Sequence, residues 1–243
     1  MQQADNLGAL PGVDHGFCTI NDPLRPDDVF ICKQVHSATV IEWEADQQSN
    51  TVPADGVFTG ERQPIAVITA DCLPILIAAK NAASVAAVHG GWKGLQAGII
   101  ANAVQRFAEE GIAAEQLLVA IGPSIKPCCY EVSEGFIGQL QADQGHLWPD
   151  TPAPWSVVQP APLLPAQIAP PQAQQTGSAW FDLSGYGVML LQAAGIRREQ
   201  IEVSAVCTYC TSPAFASYRR RTHHPDEPKT LLYSWIARRA ITD

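Results

Sequence analysis

No stretch of the 243-residue chain approaches the roughly 18 consecutive apolar residues that a membrane-spanning helix needs. The opening, MQQADNLGALPG, lacks the basic start and apolar run of a secretory leader. These absences point to a cytoplasmic protein with no membrane partner. Positive charge is also scarce: 15 Lys and Arg stand against 24 Asp and Glu, for a formal net charge of −9. The only basic run is Arg219-Arg220-Arg221, too little for a nucleic-acid surface, so a small molecule is the expected partner. Seven cysteines, an odd number in a chain without a leader, argue against a disulfide framework and for free or metal-bound thiols. No repeat of solenoid period is visible.

What is present is ample core: 47% of the residues are hydrophobic. Short apolar runs bounded by Pro, Gly, Asp or Asn predict buried strands at Phe30–Cys32, Ala66–Thr69, Ile75–Ala79, Val85–Val88, Leu117–Ile121 and Ile201–Val206. Leu95, Ile99, Ala103 and Phe107 share a helical face before Gly111. A second helix runs from Leu183 to Ala194 before Gly195, with Asp182 placed to cap it. Residues 149–171, PDTPAPWSVVQPAPLLPAQIAPP, are too rich in proline for a helix or central strand and predict a surface loop. The strands resume beyond it, so one domain of mixed α+β class over residues 1–243 is expected.

The chemistry gathers where short apolar runs end. KQVHSATVI places His36, and ADCLPILIAAKNAASVAAVHGGWKGL places Cys72 and His89, near three expected strand ends. One thiolate and two imidazoles would suit catalytic zinc, which takes three protein ligands and keeps a fourth position open. The separations of 36 and 17 residues match no finger or HExxH spacing. Read by themselves, the residues favour Cys72 as a small core hydrophobe and both histidines as partly buried groups bonded to backbone carbonyls.

KQVH, ADGVFT, TADCLPILI, AAVHGGWKGL, IGPSIKPCCYEV, CT and SYRR occur in that order between about His15 and Arg220. Together they resemble the multicopper polyphenol oxidase (laccase) family, also described as YfiH-type purine nucleoside phosphorylases. The resemblance implies a layered α/β/β/α arrangement with mixed sheets, likened to a bacterial-toxin cysteine hydrolase fold. It implies a metal site at His36, Cys72 and His89, holding zinc or alternatively copper. It further implies phosphorolysis of adenosine, guanosine or inosine, with adenosine deamination and methylthioadenosine phosphorolysis beside it, in a monomer or homodimer. Editing of peptidoglycan precursors by an amidase and copper-dependent polyphenol oxidation are the alternatives. Six histidines and two methionines supply a laccase-type electron relay poorly.

Departures from the family pattern shape the remaining expectations. The family's glycine-rich N-terminal blocks are shortened here, so part of the usual pocket wall is expected to be missing. HGGWKG replaces the common HAGWRG, giving Lys93 in place of a planar guanidinium. SYRRRTHHPDEPKT replaces the usual glycine-containing turn after SYRR. Lys93, Arg219 and Arg220 are the expected cations for phosphate, Arg220 first among them. Cys128-Cys129 are expected as packing residues, and the lone CxxC of Cys207 and Cys210 as incidental rather than as a second metal site.

Overall fold

The computed structural model describes residues 1–22, 26–174 and 176–240. Its centre is a six-stranded sheet in the order Ile201–Val203, Leu117–Ile121, Leu73–Ala79, Val85–Gly90, Gly56–Thr59 and Val40–Glu42. The outermost pair on each side is parallel and the inner pairs are antiparallel. Leu73–Ala79 and Val85–Gly90 are buried along their whole length, as expected of apolar runs covered on both faces. A four-stranded sheet, ordered Val13–Phe17, Leu232–Arg238, Ile65–Thr69 and Phe30–Ile31, packs against one face. Phe17, Ile65, Val67 and Ile236 meet Val57, Leu76, Val85 and Ala87 between the sheets.

Alternation along the strands sends Ile75, Ile77, Ala86 and Val88 to the opposite face, where helices cover them. Helix Ile99–Glu109 buries Ile99, Ile100, Ala103, Val104 and Phe107, a stripe of helical period. The single helix expected from Leu95 is in fact two. Gly98, at φ 94°, breaks the backbone between Trp92–Gln96 and Ile99–Glu109. Helix Leu183–Ala193 begins as the sequence predicts, with the Asp182 carboxylate accepting from the Gly185 amide at 2.9 Å. A small sheet of Trp155–Ser156, Ala179–Phe181 and Glu131–Val132 brings part of the proline-rich segment onto the body. The layered α+β class agrees with the expectation. Among the described residues no helix is long and apolar enough to cross a membrane.

Candidate metal centre and adjoining cleft

Antiparallel pairing explains the 17-residue spacing that looked uninformative in sequence. Leu73 pairs with Gly90 and Pro74 with His89, so Cys72 and His89 emerge at the same end of the two central strands. The strand Gly56–Thr59 pairs with the other side of Val85–Gly90, which sets Asp55 beside His89. Asp55 is completely buried. Its carboxylate lies 2.8 Å from His89 Nδ1 and accepts the amides of Val35 (3.1 Å), His36 (2.9 Å) and Ser37 (2.6 Å), and the Ser37 hydroxyl (2.9 Å). One carboxylate thus orients one imidazole and folds the loop that carries the other. Gln34 secures that loop further, exchanging two 2.7 Å hydrogen bonds with the backbone of Ile68.

The ligand atoms of His36, Cys72 and His89 all lie within 4.8 Å of one another. His36 adopts φ 61°, and Asp71, immediately before Cys72, adopts φ 92°, conformations that side chains other than glycine rarely take. Both are held by hydrogen bonds: His36 through its amide to Asp55, and Asp71 through contacts to the Thr208 hydroxyl (2.6 Å) and the Arg219 amide (2.6 Å). Gly91 closes the site. A Cβ there would stand 2.8 Å from the His36 ring and 3.4 Å from Cys72 Sγ.

Burial raises the Cys72 thiol pKa, but hydrogen bonds and charge from His36 and His89 outweigh it and bring it down to about 7. Burial likewise lowers His89, yet hydrogen bonds to Asp55 and Cys72 carry it up to about 9. Asp55 is itself held well below the usual carboxylate range: burial raises it, and its bonds to His89, Ser37 and Val35 more than compensate. Two imidazoles and a readily ionised thiol fit a single borderline metal ion. Asp55 bonds Nδ1 of His89 and so leaves Nε2 for the ion. His89 is buried and His36 is solvent-exposed, so the set is open on one side. Among the described residues, histidines enter only this one of the two clusters able to hold a metal, and the set has no methionine. Those donors suit one ion rather than several coppers.

A cleft of about 430 Å³, lined by Trp92, Tyr130, Phe136, Gln174, Arg219 and His223 among others, includes none of His36, Cys72 and His89 in its wall and is linked to them through Trp92. Trp92 follows Gly91 in the chain and meets Phe136 edge to face, with centroids 5.1 Å apart. The Arg219 guanidinium sits 5.3 Å from the centre of the Tyr130 ring and donates to the Glu131 carbonyl at 2.8 Å.

The three expected cations lie in different settings. Arg219 lines the cleft. Lys93 is exposed, its Nζ 5.6 Å from the Trp92 ring centre, and is not part of the cleft wall. Arg220 is buried, and its guanidinium is engaged by the carbonyls of Thr208, Tyr209 and Phe215 and by the Glu227 carboxylate, all at 2.8–3.0 Å. Asp55 and Asp71 were not singled out from sequence. Their one signal is a shared pattern, Ala-Asp at the start of a strand-bearing block, ADG and ADC.

A family model described as multi-copper polyphenol oxidoreductase laccase matches residues 19–226. The curated protein "Purine nucleoside phosphorylase YlmD" of Geobacillus stearothermophilus is 33% identical over 199 residues, covering 78% of this chain and 66% of that protein. A purine nucleoside phosphorylase of Streptomyces coelicolor is 36% identical over 155 residues, covering 60% and 64%. The chain therefore spans slightly less than two thirds of the length of these relatives. The crystal structure of YlmD from Geobacillus stearothermophilus superposes with a TM-score of 0.71 at 29% identity, covering 88% of this chain and 74% of that one. That of YfiH from Bacillus licheniformis gives 0.73 at 21% identity, covering 95% and 98%, a likeness of fold. With most of its length matched by the family model, the chain belongs to the multi-copper polyphenol oxidoreductase laccase family.

Proposed function

We propose that this chain is a zinc-dependent purine nucleoside phosphorylase. Its substrates are adenosine, guanosine or inosine with phosphate, and its products are the base and ribose 1-phosphate. Adenosine deamination and methylthioadenosine phosphorolysis accompany that activity. The observation that carries the reading is the convergence of His36, Cys72 and His89 beside a cleft with aromatic walls and one guanidinium, Arg219. Relatives named purine nucleoside phosphorylase support it. His36, Cys72 and His89 would hold the zinc ion, which would supply a Lewis acid there. Trp92 and Tyr130 offer faces for a purine ring. Arg219 supplies charge-assisted hydrogen bonds to phosphate, where a fork of donors is better matched than an ammonium. Asp55 keeps His89 in one tautomer and holds the His36 loop against the sheet.

The test is to incubate zinc-loaded protein with inosine plus phosphate, and separately with adenosine without phosphate, following products by chromatography. Hypoxanthine and ribose 1-phosphate are expected from the first, and inosine from the second. Folded, metal-loaded protein that forms no product in either would overturn the proposal. Amino-acid release from a muramyl-amino-acid nucleotide would favour the amidase alternative.

A further inference from the structure

Two cysteine pairs that begin 79 positions apart in the chain meet inside the molecule. Cys128 and Cys129 lie on a turn in which the amides of Cys129 and Tyr130 donate to the Lys126 carbonyl at 2.9 and 3.0 Å. Cys207 and Cys210 lie on a second turn, closed by the Thr211 amide on the Cys207 carbonyl at 3.0 Å. A parallel bridge between Ser124 and Cys207 draws the turns together. All four residues are at most 2% exposed, and their sulfurs lie within 4.8 Å of one another. Cys128 Sγ is 3.8 Å from Cys210 Sγ and 3.6 Å from Cys129 Sγ.

These separations fit one ion. A tetrahedral zinc with Zn–S bonds of about 2.3 Å sets its sulfurs roughly 3.8 Å apart. Disulfides would draw pairs to about 2.05 Å. An iron–sulfur cluster, with several irons between its thiolates, would spread them wider. The surroundings match a charged occupant. Lys126 is 2% exposed, yet it is in none of the ion pairs among the described residues, and its Nζ donates to the hydroxyls of Ser124 (3.0 Å) and Ser184 (2.7 Å). The Lys126 amide also donates to Cys207 Sγ at 3.5 Å.

We propose that Cys128, Cys129, Cys207 and Cys210 form a second, closed metal site that takes one zinc ion and cross-links the two turns. Zinc displaces the four thiol protons, leaving two net negative charges beside the Lys126 ammonium. All four positions are filled by protein, so the site is structural and takes no substrate. Arg220, bonded to the carbonyls of Thr208 and Tyr209, braces the turn between two of the ligands. The sequence had presented each pair by itself, as packing residues and as a lone CxxC, and the fold makes them a set of four.

The test begins with a Cys72→Ala variant, which removes the sulfur of the first site. Purified without chelator, it is expected to hold one zinc per chain, with four sulfurs near 2.3 Å by X-ray absorption. Wild type is expected to hold two zincs, with nitrogen appearing in the averaged shell. Cys210→Ser is expected to keep the nitrogen-bearing zinc and lose the other. Should Cys210→Ser fail to fold, the absorption spectrum of Cys72→Ala decides alone. A folded Cys72→Ala protein without zinc, with iron in its place, or with a disulfide among the four cysteines by mass spectrometry after alkylation, would overturn the proposal. Loss of the nitrogen-bearing zinc in wild type would count against the first site and leave this one standing.

Discussion

Asp55 Oδ1 lies 2.8 Å from Nδ1 of His89, and both side chains are buried. The same carboxylate receives three consecutive amides of the loop that bears His36. Asp55→Asn keeps the shape but weakens acceptance from those amides and loosens control of the His89 tautomer. Zinc affinity at the first site is expected to fall by about 10–100-fold, the range for lost partners of metal-bound histidines. A competition titration with a chromogenic chelator measures it. Unchanged affinity would confine Asp55 to folding.

Gly91→Ala isolates steric crowding. Gly91 has φ −71° and ψ 149°, which alanine adopts freely, so only the new methyl against His36 and Cys72 disturbs the site. First-site zinc is expected to weaken at least tenfold while the melting temperature stays within a few degrees. Equal zinc binding by variant and parent would show that His36 swings aside without penalty.

The neighbouring arginines are expected to part in behaviour. Arg219→Ala should cut phosphorolysis tenfold or more, with zinc content kept and deamination much less affected; tenfold corresponds to about 1.4 kcal/mol. Arg220→Ala strands three carbonyls and Glu227. It should destabilise the fold by on the order of 3 kcal/mol, roughly 6–12 °C in melting temperature. Calorimetry beside the two assays distinguishes them. A stable Arg220→Ala protein that loses phosphorolysis alone would return the phosphate role to Arg220.

His15 is fully buried, and its Nε2 accepts from the Ala4 amide at 2.8 Å. Burial pulls its pKa below the ordinary 6.5, with the charges of Glu202 and Asp14 offsetting part of the effect. Below pH 6.5 the unfolded chain takes up a proton that the folded chain refuses. The stability His15 contributes is therefore whole above that pH and is lost as pH falls toward the depressed folded value. Urea midpoints at pH 7.5 and 5.5 should differ more for the parent than for His15→Gln. Identical pH dependence would remove His15 as a cause.

Much of the fold was legible because buried strands here are short apolar runs cut off by turn residues: Leu117–Ile121 falls on the predicted residues. Val13–Phe17 was hidden by Asp14 and His15, and Leu232–Arg238 by its polar interruptions. Helix Glu134–Gln144 was missed because it buries only Leu140 and carries no apolar stripe. The three residues of the candidate metal site were legible as a motif, but their convergence depends on a strand register that periodicity does not encode. Asp55 was invisible for a related reason. A buried carboxylate shows its use only once the amides around it are in place.

Residues 149–171 hold eight of the chain's 19 prolines. Such a segment has little freedom to surrender on folding, so few fastenings keep it down. Those fastenings include Gln159, donating to the Cys128 carbonyl at 2.8 Å, and the amides of Gln167 and Ile168, donating to the Cys210 carbonyl at 2.9 and 3.0 Å. The clasp thus closes onto the two cysteine-bearing turns. Protease sensitivity within this strap becomes an external gauge of their internal order: tight turns hide it, and slackened turns offer the whole stretch to cleavage at once.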